Sequence, residues 1–130
     1  MGTEFMIYLD THVILWLFAR KGEGLSVHAM NLIENDTEIV ISPTVLLELE
    51  YLHEIGRTTL GSKPVYDYLH ERIGLQLCKH SFTDVIQMAA KQTWTRDPSD
   101  RIITAQAAID SNALVTKDSG FRKHYQYAVW

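Results

Sequence analysis

Apolar residues come in short dense bursts along the chain, separated by polar or glycine-marked breaks. MIYL at 6–9 has the length of a strand. THVILWLFAR at 11–20 follows with almost no gap and predicts a buried helix, which GEG at 22–24 ends. A second helix is predicted over Leu25 to Glu34, with Leu25, Ala29, Leu32 and Ile33 on its apolar face. EIVIS at 38–42 is dense in β-branched residues and predicts a strand. Ser42 then suits a helix N-cap and Pro43 the first helical position, and the helix VLLELEYLHEI runs to Gly56. Residues 57–63 read as a loop, and Pro64 to Ile73 as a helix. LQLCK (75–79) predicts a strand, FTDVIQMAAKQTW (82–94) a helix with Val85, Met88 and Ala89 inward, and Asp97 to Ser111 another helix. ALVT (113–116) is a strand, and YAVW (127–130) a short edge strand.

Strands alternating with helices imply an α/β fold: a mostly parallel central sheet of four or five strands, with helices on both faces. The working site of such a fold lies beyond the carboxyl ends of the strands, near a switch in strand order. Acidic residues recur there. Asp10 follows Leu9 directly, and Asp118 follows ALVT after Lys117. Each has a local explanation, as helix cap or turn acid, but the two meet if their strands are neighbours. On the helix after EIVIS, the apolar stripe is Val45, Leu46, Leu49 and Leu52, with Glu50 and Glu54 on the opposite, solvated side. Glu48 falls on the border of the stripe, where a carboxylate needs a partner, a metal ion or an arginine. Asp97 before Pro98 fits an N-cap, which puts Asp100 at the third helical position, suited to capping or to pointing across a site.

The bulk properties narrow the chemistry. A length of 130 residues suggests a single domain over 6–130; residues 1–5 read as an expression leader ahead of Met6. The single cysteine, Cys78, excludes an internal disulfide and a cysteine zinc cage, and reads as a small buried strand residue. No apolar run approaches a membrane span and no basic region precedes the first one, so a cytoplasmic location is the default. The net charge of -4 argues against a protein that coats nucleic acid non-specifically. If Asp10, Glu48, Asp100 and Asp118 converge, their repulsion calls for a cation. Oxygen ligands alone suit Mg²⁺ or Mn²⁺, and such ions support attack of water on a phosphoryl group.

MIYLDTHVILWL, SPTVLLELEYL, RDPSDRIITAQA and ALVTKD, in that order, resemble the four acidic blocks of PIN-domain ribonucleases, and VapC-type toxins of toxin–antitoxin pairs in particular. The resemblance covers nearly all the chain from Met6. It implies a PIN-like fold and an Mg²⁺- or Mn²⁺-dependent RNA endonuclease that leaves 5′-phosphate and 3′-hydroxyl ends. It also implies a small antitoxin partner and a homodimer. The family's metal-binding, catalytic acids map onto Asp10, Glu48, Asp100 and Asp118. Asp97 lies in the DPSDR stretch and Thr11 and Thr116 flank the acids, so these three assist; Ser99 stands where many relatives have phenylalanine. Arg101 and Lys117 either orient phosphate or neutralise the acids beside them. His12 reads as packing or facing away, Trp16 as core or interface, and Trp94 and Trp130 as partly buried. Two other readings compete. In a haloacid-dehalogenase-like phosphatase the stretch DTH would need an acid where His12 stands. A non-catalytic RNA- or protein-binding module could keep the same fold.

Overall fold

The computed structural model describes residues 6–35 and 38–130; the leader expected at 1–5 lies outside them. Strand β1 (Met6–Leu9) leads into α1 (Thr11–Arg20), then α2 (Val27–Glu34), β2 (Glu38–Ile41), α3 (Pro43–Glu54) and α4 (Ser62–Ile73). β3 (Gln76–Leu77), α5 (Phe82–Ala89), α6 (Pro98–Ala108), β4 (Ala113–Val115), α7 (Ser119–His124) and β5 (Ala128–Val129) complete the order. The five strands form one all-parallel sheet in the order β3-β2-β1-β4-β5. Chain order therefore reverses at β1, which pairs with β2 on one side and with β4 on the other. Leu9 lies opposite Val115, so the segments leaving β1 and β4 emerge side by side.

Residues of both parities are buried along the central strands. Ile7, Leu9, Ile39 and Ile41 point to one face, Tyr8 and Val40 to the other, and all are nearly inaccessible. That is the mark of a parallel sheet covered on both sides, and it explains why these runs are continuous rather than alternating. Val13, Ile14, Val45, Leu49, Val65, Leu69 and Ile103 bring the helices onto the same core. Val85, Ala89 and Ala105 make a smaller cluster between α5 and α6.

The helix starts follow side-chain capping. Ser26, Ser42 and Ser81 accept backbone N–H bonds from Ala29, Thr44 and Asp84, and Asp97 and Asp118 do the same for α6 and α7. Several predicted boundaries shift for local reasons. α2 begins at Val27, because Leu25 is still held in a turn by its N–H bond to the Gly22 carbonyl. Glu50, read as solvated, reaches across to the start of α4, where its Oε1 accepts from Ser62 N at 3.0 Å and Ser62 Oγ at 3.2 Å. α4 consequently starts at Ser62 rather than Pro64. β3 keeps only two of five predicted residues, although the Cys78 N–H still bonds to Ile41 O. α5 stops at Ala89, since the N–H groups of Lys91 and Gln92 bond three residues back. This tight turn brings Trp94 onto Phe121 and His124. α6 ends at Ala108, and Ser111 then takes a left-handed φ of 55°. α7 was not anticipated: six residues are too few to show a helical period.

Candidate active site

The neighbouring β1 and β4 bring Asp10 and Asp118 to one end of the sheet. Asp10 caps α1 and is 8% exposed. Its Oδ1 accepts from Thr11 N at 2.7 Å and its Oδ2 from Thr116 Oγ1 at 2.8 Å. The same Thr116 hydroxyl accepts from Asp118 N at 3.0 Å, so one fully buried threonine ties the two acidic segments together. Asp118 Oδ1 accepts from Gly120 N at 2.8 Å and Phe121 N at 3.2 Å, which caps α7. From α3, Glu48 accepts a hydrogen bond on Oε1 from the Thr11 hydroxyl. Asp97 Oδ1 caps α6 by accepting from Asp100 N at 3.2 Å, and Asp100 occupies the first turn of that helix.

Asp10, Glu48, Asp100 and Asp118 line one cavity of about 220 Å³, together with Thr11, His12, Tyr51, Leu52 and Phe121. Neither lysine nor arginine lines it. The carboxylates respond accordingly. Burial pushes the Asp10 carboxyl above the usual range, against the opposing effect of its bonds from Thr116 and Thr11. Burial also raises Glu48, which Asp10 and Asp97 push further while the Thr11 hydroxyl opposes. Asp100 is pushed up to about 6, first by burial and then by repulsion from Asp97, Asp10, Asp118 and Glu48.

Residues 7–126 match the PIN domain family. This chain belongs to the PIN domain family. Among curated proteins, the PIN domain is 32% identical over 125 residues to a protein named Ribonuclease VapC22 from Mycobacterium tuberculosis, covering 91% of each chain. Its fold is shared with solved toxin–antitoxin structures. A VapBC2 structure from Rickettsia felis, bound to a DNA fragment from its promoter, superposes with a TM-score of 0.70 at 17% identity, over 92% of this chain and 93% of that one. VapBC-1 from nontypeable Haemophilus influenzae gives 0.62 at 15% identity, over 95% and 92%.

Within this PIN domain the four acids mapped from the sequence share one cavity, and Thr11 and Thr116 bond directly to two of them. Asp97 stays outside the lining and acts on Asp100 through its cap bond and its charge. Arg101 does not line the cavity; its guanidinium Nε donates to Thr95 O at 2.8 Å and braces the loop before α6. Lys117 is also outside, with its ammonium 5.9 Å from the centre of the Trp16 ring. Neither forms an ion pair with the acid beside it among the described residues. His12, read as packing or facing away, is exposed and lines the cavity. Tyr51 and Leu52 were overlooked as lining residues. Their positions three and four residues after Glu48 put them on its side of α3. Phe121 could not be found from the pattern, because it depends on α7.

Proposed function

We propose that this protein is a divalent-metal-dependent endoribonuclease acting as the toxin of a toxin–antitoxin pair. The observation that carries the reading is the cavity itself: four carboxylates face a common space that neither lysine nor arginine lines. The named ribonuclease relative and the toxin–antitoxin neighbours support the substrate and the partner.

The donor set fits Mg²⁺ or Mn²⁺. It consists of hard oxygen donors that repel one another, with neither lysine nor arginine lining the cavity to offset them. Among the described residues no three His, Cys, Asp or Glu side chains stand close enough together to hold a metal ion as placed, so the four acids share a cavity without forming a ligand cluster. Asp10, Asp100 and Asp118 would hold the ion, with Glu48 beside them. When bound, such a cation supplies Lewis acidity for attack by water on a phosphodiester and screens the phosphoryl charge. The chain's own groups position these acids. Thr116 and Thr11 hold Asp10 from opposite sides. Asp118 uses Oδ1 to accept from the α7 amides, and among the described residues no hydrogen bond engages its other oxygen. Glu48 is oriented by Thr11.

Beside the cavity, α3 and its C-cap residue expose Leu47, Tyr51 and Ile55 at four-residue spacing. This ridge suits the apolar side of an antitoxin segment laid across the entrance, and Tyr51 belongs to both surfaces. The reading includes a homodimer, which light scattering of the purified protein measures.

The test is cleavage of labelled cellular RNA by the purified, antitoxin-free protein with Mn²⁺, with Mg²⁺ and with chelator, beside Asp118→Asn. Metal-dependent cleavage absent from the variant supports the reading. Equal cleavage by the variant rejects this site. A folded protein that binds but never cuts RNA supports a non-catalytic binding module.

A further inference from the structure

A second group of reactive side chains lies where the chain leaves β3. Tyr8 Oη donates to Cys78 Sγ at 3.1 Å. Cys78 Sγ is 3.2 Å from His80 Nδ1, and His80 Nε2 is 2.7 Å from Asp110 Oδ2. The direction of these bonds follows from the chemistry. An ionised carboxylate only accepts, so His80 Nε2 carries the hydrogen given to Asp110. In a neutral imidazole Nδ1 is then a lone pair, and the thiol S–H points at it. The sulfur thus faces a base, a carboxylate orients that base, and the Tyr8 hydroxyl aims at the sulfur from within the protein. This is the constellation that activates a cysteine nucleophile. Proton transfer to His80 leaves a thiolate that accepts from Tyr8 and from the new Nδ1–H, while Asp110 balances the imidazolium.

The thiol also has room in which to react. Cys78 is 9% exposed. A cavity of about 290 Å³ opens beside it, lined by Met6, Tyr8, Gln76, Cys78, His80 and Asp110 among others. Strand register explains the opening. Met6 lies opposite Glu38, and Tyr8 is opposite Val40, which is opposite Gln76, so these side chains share one face at the β3 end of the sheet. The cavity has no lining residue in common with the carboxylate cavity.

We propose that Cys78 is a reactive thiol and a modification site for small disulfides, activated by His80 and Asp110. The Cys78 thiolate attacks one sulfur of the disulfide. A new S–S bond joins Cys78 to that half as the reagent's own S–S bond breaks. The other half leaves as a thiolate and takes the proton held by His80. The disulfide is the only oxidant consumed. Cys78 is the sole cysteine, so no second thiol of the chain resolves the mixed disulfide, and it persists until an external thiol reverses it.

The test is the rate of modification by 2-hydroxyethyl disulfide at neutral pH, read by intact-protein mass spectrometry. The urea-unfolded chain serves as the reference for an ordinary thiol. The native protein reacts about tenfold faster than the unfolded chain. His80→Gln removes that advantage and Asp110→Asn loses several-fold, with circular dichroism confirming that both variants stay folded. A native thiol slower than the unfolded one, or a folded His80→Gln variant as fast as the parent, overturns the proposal.

Discussion

Replacing Asp100 with asparagine should make the metal-free protein more stable while it disables the site. Asp100 is half-buried and faces Asp10, Asp118, Glu48 and Asp97; burial first, and then their repulsion, raises its pKa from 3.8 to about 6. A difference of roughly two units corresponds to about 3 kcal/mol of destabilisation when the group is ionised. The side chain is only partly buried, so solvent screening cuts this by half or more. Asparagine also forfeits the attraction of a carboxylate for the α6 N-terminus, which costs a few tenths of a kcal/mol. The net gain is about 1 kcal/mol. Its pH dependence has a definite sign. The folded state holds the proton more tightly than the unfolded one, so the penalty is absent below the unfolded pKa of 3.8. It grows as pH rises and is complete above about 6. Urea denaturation in chelator should therefore show Asp100→Asn to be more stable at pH 7.5, with roughly a third of that gain left at pH 4.5. Adding Mn²⁺ should stabilise the parent more than the variant. A variant less stable than the parent at pH 7.5, or a gain that ignores pH, would refute the claim that burying an ionised Asp100 among other acids strains this cavity.

Further outcomes follow from particular contacts. Thr116→Val removes the hydrogen bond to Asp10 and the acceptor for Asp118 N, so it should cost about 2 kcal/mol in denaturation and most of the cleavage rate. Thr116→Ser should restore much of both. Asp118→Asn preserves the α7 cap and should leave stability nearly unchanged, whereas Asp118→Ala should lose about 1 kcal/mol; neither should cleave RNA. Gly22 has a φ of 88° and lies where a Cβ would come within 2.8 Å of Met30 Sδ, while Gly56 has a φ of 81° and open space around it. Thermal unfolding should thus rank Gly22→Ala as the worse of two destabilising changes, with Gly56→Ala near 1 kcal/mol.

The sequence made the elements legible where a dense apolar run met a clear boundary. MIYL followed by Asp10 and EIVI followed by Ser42-Pro43 carry strand, cap and helix start within a few residues, and both are observed. The pairing that brings Asp10 to Asp118 could be stated only as a condition, because neighbouring strands are chosen by the whole core and not by either strand. Glu48 could be placed on α3 from helical angle alone. That Thr11 would be its partner depended on α1 and α3 packing together. The fates of Arg101 and Lys117 were not readable. Each sits beside an acid in sequence, yet one is drawn to a loop carbonyl and the other to an indole face. Residues 90–94 have helix-forming composition, yet the chain turns there and packs Trp94 on α7, a contact between elements that the local pattern does not show.

The sheet is bordered by β3 and β5, and each of these strands is two residues long. An exposed strand border is ordinarily a template on which another chain can add itself by backbone pairing. Here the template is too short to hold a visitor. Crowded copies of this protein have little purchase for joining sheet to sheet. An inhibitor of the kind proposed above would find little strand border to extend, and would depend instead on side-chain contacts. For such an inhibitor, discrimination would rest on shape and charge, properties that a few substitutions can retune without disturbing the fold.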